Sequence, residues 1–154
     1  MSDIHIDDFY KDVARMLVQL YRQFPRKSLL LVEEISGPDT PDEYGLHSER
    51  HQSCFGAAIW LAESGYIRYG ETIRQEGLDQ VILTHMGFTL LSGSADPLPD
   101  GEEATENPQL PASVAASRRT NIHLLRAVLR SGESVTINRM VQQLLRQSLD
   151  YRYA

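Results

Sequence analysis

Apolar side chains recur at helical spacing near the start of the chain. Phe9, Val13, Met16, Leu17, Leu20, Tyr21 and Phe24 fall on one stripe, with Lys11, Arg15, Gln19 and Arg22 mostly off it. Asp7 or Asp8 is positioned to cap this helix, and Pro25 stops it. Residues 28–36 hold Leu29-Leu30-Leu31-Val32 and then Glu33-Glu34-Ile35. Leu and Glu favour helix there, with Ser28 as a cap; a short strand leading into one helical turn fits equally well. Residues 37–42, Gly37-Pro38-Asp39-Thr40-Pro41-Asp42, form a turn and breaker cluster. A third helix is predicted over 48–64, with Cys54, Phe55, Ala58, Ile59, Leu61 and Ala62 on its buried side and Gly65 at its C-terminal cap. Tyr66, Ile67 and Tyr69 then favour a strand, 70–80 is polar and reads as a loop, and Val81-Ile82-Leu83 is placed to return antiparallel. Thr84 is a fitting N-cap for a short helix through Leu91.

The pattern changes after residue 92. Residues 93–112 are rich in Pro, Gly, Asp and Glu and almost devoid of apolar side chains, which predicts a flexible acidic linker. Beyond it, Ile122, Leu125, Val128 and Leu129 align on one amphipathic segment of about residues 117–130. Gly132 breaks the chain, and Ile137, Met140, Val141, Leu144 and Leu145 align on a second segment. Two short helices cannot bury both stripes alone, so they must pack on the body, on a second copy or on a partner.

Charge divides along the same boundaries. The net charge of −6 comes from 14 acidic and 8 basic side chains in residues 1–92, five acidic and no basic ones in 93–112, and seven Arg against Glu133 and Asp150 in 113–154. An acidic body weakens the case for non-specific nucleic-acid binding, which depends on Lys and Arg neutralising phosphates. No apolar run approaches the ~20 residues of a membrane span. No leader-like segment is visible at Met1-Ser2-Asp3-Ile4-His5, and Cys54 has no internal disulfide partner, so a cytoplasmic location is expected.

The run Cys54-Phe55-Gly56-Ala57-Ala58-Ile59-Trp60-Leu61-Ala62-Glu63-Ser64-Gly65-Tyr66-Ile67 resembles the end of a winged-helix recognition helix. The phrase Leu83-Thr84-His85-Met86-Gly87-Phe88-Thr89-Leu90-Leu91 is similar to the strand-to-helix passage that closes many bacterial winged-helix domains. The resemblance covers roughly residues 7–92 at the level of pattern and points to the winged helix-turn-helix superfamily without naming a subfamily. It implies a mainly helical α+β fold: a winged-helix domain over 7–92, the linker over 93–112 and a two-helix element over 113–154. It departs from the usual pattern in the Pro/Asp-rich insertion before the third helix and in the weakly basic positions expected to face DNA.

The resemblance implies a non-catalytic, dimeric regulator that binds double-stranded DNA. Bases would be read from Ser48, Arg50, Gln52 and Ser53, with Arg50 bidentate to guanine, while Arg68 and Arg74 would reach the backbone from the wing. Association, with a second copy or another protein, would use Ile122, Leu125, Val128, Leu129, Met140, Val141 and Leu144. The alternative is a winged-helix adaptor that binds protein and not DNA. The two differ in what they require: DNA binding needs Arg50, Gln52, Arg68 and Arg74 on one exposed positive face, whereas an adaptor tolerates a neutral or acidic one. His47, His51 and Cys54 fall at i, i+4 and i+7 with Glu43 nearby, a spacing that suggests a metal. Cys54 belongs to the buried stripe, however, so no metal and no cofactor is expected. No oxyanion hole, matched acid and base, or phosphate-binding loop is apparent, and no enzyme activity is expected.

Overall fold

The chain is described by a computed structural model over residues 3–95, 111 and 118–152. The first helix, α1 (Ile4–Gln23), leads through a turn to β1 (Ser28–Leu31) and directly into the short α2 (Val32–Ser36). After a loop come α3 (Glu49–Glu63), β2 (Ile67–Arg68), β3 (Glu71–Ile73), β4 (Gly77–Leu83) and α4 (His85–Ser92). Two further helices, α5 (Asn121–Ser131) and α6 (Ser134–Arg152), follow. The architecture is mainly helical α+β with a small antiparallel sheet, the coarse class the sequence predicts. No helix among the described residues is long and apolar enough to cross a membrane.

Strand β4 organises the sheet. It pairs antiparallel with β1 on one side, Leu30 opposite Leu78, and with β2 and β3 on the other, Ile67 opposite Leu83 and Thr72 opposite Leu78. This resolves the ambiguity of residues 28–36 as a strand followed by a helical turn. Pairing with β4 engages the backbone of residues 28–31, and the Val32 amide then donates to the Glu76 carbonyl. The polar stretch 70–80 is a hairpin whose second strand begins at Gly77, not a loop throughout.

The signals at the ends of α3 and α4 hold. Gly65 is left-handed (φ 88°), its amide donating to the Ala62 carbonyl and that of Tyr66 to the Leu61 carbonyl. This paired closure sends the chain from α3 into β2. Thr84 caps α4 by accepting from the Gly87 amide at 3.0 Å, while its own hydroxyl donates to the Gly65 carbonyl at 2.6 Å. Gly87 is required because a Cβ there would strike the Tyr66 carbonyl oxygen.

Three boundaries differ from expectation. Helix α1 begins at Ile4 behind Asp3, not at Asp7 or Asp8. Those two carboxylates have tertiary partners instead: Asp7 accepts from Asn138 Nδ2 at 2.7 Å, and Asp8 lies 3.5 Å from Arg50 Nε. Helix α5 starts behind Thr120, whose hydroxyl accepts from the His123 amide, a few residues later than periodicity suggests. The expected linker lies largely outside the described residues, but residues 93–95 at its start are paired. Ser94 bridges Thr120, the Ala95 amide donates to the Arg119 carbonyl, and the Asn121 amide donates to the Gly93 carbonyl.

The core is continuous from α1 to α6. Val13, Met16, Leu17 and Leu20 of α1 cluster with Cys54 and Leu61 of α3, Leu78, Val81 and Leu83 of β4, and Leu90 and Leu91 of α4. The same cluster takes in Ile122 and Leu125 of α5 and Ile137, Met140, Val141 and Leu144 of α6. Polar ties accompany this packing. Tyr66 Oη lies 2.7 Å from Ser148 Oγ, and the fully buried Asn121 donates to the Leu90 carbonyl and to Gln147 Oε1.

Candidate functional site

The region of interest is the start of α3, where it meets the tip of the β3–β4 hairpin. Ser48 caps the helix by accepting from the His51 amide at 3.2 Å. The same hydroxyl donates to Asp39 Oδ1 at 2.6 Å, so the cap also holds the loop that precedes the helix. Arg50 turns inward. Its Nη1 and Nη2 donate to the two carboxylate oxygens of Asp12 at 2.7 and 2.6 Å, and Asp12 is 1% exposed. The paired fork geometry matches the one Arg would present to guanine, so both hydrogen-bonding positions are already filled.

The other residues expected to face DNA are dispersed in role. Gln52 is exposed, but its amide donates to the His47 carbonyl at 2.8 Å. Ser53 is exposed on α3, Arg68 on β2 and Arg74 at the hairpin turn in a left-handed conformation (φ 48°). Arg50 is the only Lys or Arg in α3. The exposed positions of that helix are Glu49, Gln52, Ser53, Gly56, Trp60 and Glu63, two acids and no base. Arg68 and Arg74 are thus on the surface, whereas the Arg50 guanidinium is engaged by Asp12.

The residues expected to mediate association are internal. Leu125 and Val141 are fully buried, Ile122, Met140 and Leu144 nearly so, and Val128 and Leu129 pack partly buried against the same core. These stripes pack against the core of their own chain. Arg126 lies over the Tyr21 ring, 5.5 Å from its centroid, in the same layer.

Around His47 and His51 the fold assembles a cluster that the sequence only half suggests. His47 Nδ1 lies 2.8 Å from Asp39 Oδ2, and its Nε2 lies 2.8 Å from Glu76 Oε1 at the hairpin tip. Both ring nitrogens thus face carboxylates, and the hydrogen bond from Asp39 raises the His47 pKa, Glu76 adding to it. The bonds from Ser48 and His47 in turn lower Asp39 to about 2. The His51 ring stacks on His47 with centroids 3.7 Å apart and planes 7° from parallel. His51 Nε2 lies 2.8 Å from the Gln75 carbonyl oxygen, an acceptor only, so that nitrogen carries a proton and, in the neutral ring, Nδ1 holds the lone pair. His51 is 1% exposed, and its Nδ1 has no hydrogen-bond partner among the described residues; Asp39 Oδ2 is 3.9 Å away.

Cys54 takes no part in this cluster. It is buried in the core, and burial pushes its thiol up to about 12, which suits a packing residue and not a thiolate ligand. The carboxylate partners, Asp39 and Glu76, lie eight residues before and 29 after His47. Only the Asx-Pro character of the loop marked Asp39, and nothing in local spacing marked Glu76. Comparison of the chain with known protein families, with curated proteins and with solved structures gave no match.

Proposed function

We propose that this chain is a non-catalytic winged-helix protein whose α3 and β3–β4 hairpin face engages a protein partner, an adaptor role without DNA binding. The fold part of this reading is supported by the helix–strand–helix–helix order followed by three strands and by β4 lying between β1 and β2. The observation that carries the functional part is the pairing of Arg50 with Asp12, which leaves the exposed side of α3 acidic to neutral. A duplex surface repels such a face. Exposed apolar side chains suited to a protein contact lie around the same junction. Tyr44 and Leu46 precede α3 and Ile73 sits on the hairpin, on segments that the His47–Glu76 bond holds side by side.

DNA binding in a regulatory role is the second reading. The exposed Arg68 on β2 and Arg74 at the hairpin turn favour it, since a wing commonly reaches the phosphate backbone. Retention of random genomic fragments by the full-length chain separates the two. The adaptor reading expects no retention even at low salt. It also expects that a photocrosslinker placed at Leu46 captures one discrete protein in cells, and that Tyr44→Ser abolishes the capture. Enrichment of a distinct sequence that survives physiological salt would overturn it in favour of a regulator.

A further inference from the structure

We propose that Asp39, His47 and His51 bind one divalent transition-metal ion of the zinc class, between the start of α3 and the tip of the β3–β4 hairpin. This goes beyond the adaptor reading and does not depend on it. One ligand atom from each of the three residues lies within 4.8 Å of the other two. Two imidazoles and a carboxylate form a donor set that suits zinc and leaves a further position for water or another ligand.

The second observation is the unpartnered nitrogen of His51. The ring is buried, its Nε2 proton is engaged by the Gln75 carbonyl, and its Nδ1 has no hydrogen-bond partner among the described residues. A buried polar atom without a partner is unfavourable, and with the ring neutral a cation beside Asp39 Oδ2 would satisfy its lone pair. Each ligand, moreover, already has the outer partner that metal-binding residues characteristically have. His51 is oriented by the Gln75 carbonyl, His47 by Glu76 through Nε2, and Asp39 by the hydroxyl and amide of Ser48 at 2.6 and 3.1 Å.

The apo geometry is close to what an ion needs and shows what must move. Tetrahedral zinc with bonds near 2.0–2.1 Å sets its ligand atoms about 3.3 Å apart. The present separations of 2.8 Å (His47 Nδ1 to Asp39 Oδ2) and 3.9 Å (His51 Nδ1 to Asp39 Oδ2) straddle that value. Parallel rings cannot both aim in-plane lone pairs at one point, so the two imidazoles must fan apart. His47 and Asp39 belong to the loop before α3, whose residues are mostly exposed, and that loop supplies the movement. As the ion enters, the proton on His47 Nδ1 leaves to solvent, and the ion takes its place between His47 and Asp39.

The test is titration of the full-length, chelator-treated protein with Co²⁺, followed by visible absorption, and with Zn²⁺, followed by calorimetry. One equivalent is expected to bind with a Kd of about 1 µM or tighter. The Co²⁺ spectrum should show bands of a nitrogen and oxygen site without thiolate charge transfer, and Cys54→Ser should leave it unchanged. Asp39→Asn and His47→Gln should each weaken Zn²⁺ binding at least about tenfold. These two carry the test because His51→Ala also removes a buried ring from the fold; each is first shown to unfold cooperatively. Absence of saturable binding below about 100 µM would overturn the proposal. So would one-equivalent binding that both variants leave unchanged, since the ion would then sit at another histidine.

Discussion

Where α5 and α6 cover α1, the contact is made by Ile122, Leu125, Met140, Val141 and Leu144, with few polar ties. Where α3 meets the hairpin tip, it is made by Asp39, His47, His51 and Glu76, and beside them by Arg50 on Asp12. Apolar area is non-directional, so the first contact tolerates a change of shape and loses stability in proportion to what is removed. Hydrogen bonds between charged groups are directional, and the loss of one member leaves the other stranded. The helical layer therefore acts as a scaffold, while the polar junction is the part of the molecule that a proton, an ion or a partner can rearrange.

The largest effect should come from removing the helical layer altogether. A chain ending at residue 112 exposes the side of α1 that α5 and α6 bury, and it should lose cooperative thermal unfolding by circular dichroism. A folded, cooperatively melting 1–112 fragment would show that the layer is an appendage and would restore its stripes as an association surface.

Arg50→Ala tests the other region. It leaves the Asp12 carboxylate buried and unpaired, and denaturant unfolding should show a loss of about 3–5 kcal/mol. Replacing both members with apolar residues should recover most of that loss. A loss under about 1 kcal/mol would mean that the pair behaves as a surface ion pair and that Arg50 is free to serve an outside ligand.

Leu125→Ala, in the apolar layer, should cost about 2–4 kcal/mol with an unchanged denaturant slope. It should leave metal binding at the junction untouched.

The last prediction involves no loss of stability. Cys54 lies on the inner face of α3, and burial moves its thiol from the ordinary 9.0 to about 12. Since the thiolate is the reactive species, its population at pH 8 falls by roughly a thousandfold. A thiol reagent should modify the folded chain at least that much more slowly than the unfolded chain. The reaction should accelerate as pH rises toward 12, because a raised pKa delays ionisation. Reaction at the unfolded rate would mean that α3 lifts from the core easily.

Elements governed by local rules are legible in the order of residues alone. The stripe of α1, the left-handed Gly65 closing α3 and the Thr84 cap of α4 each depend on residues within one or two turns of each other, and the return of Val81-Ile82-Leu83 shows as a second β-forming run after Ile67. The site is legible only in fragments. His47 and His51 stand out by their four-residue spacing, but Cys54 is the wrong third member, because the same spacing turns it toward the core. Asp12 offers a missed signal: an acid beside Val13 in an apolar stripe calls for a buried cation. Its partner, Arg50, lies 38 residues away, and periodicity carries no information over that distance.

The sequence by itself determined that α1, α3, α4 and the two C-terminal segments are helical, where α3 and α4 begin and end, and which faces are apolar; it left residues 28–36 open and gave no sign of β3. Short-range sterics and side-chain period are properties of neighbouring residues. Only the tertiary structure decided what each face meets: that the C-terminal stripes close over α1, that Arg50 answers Asp12, and that Asp39 and Glu76 flank His47. Those pairings join residues far apart in the chain, and they are chosen by how the whole core packs and by which buried charges must be matched.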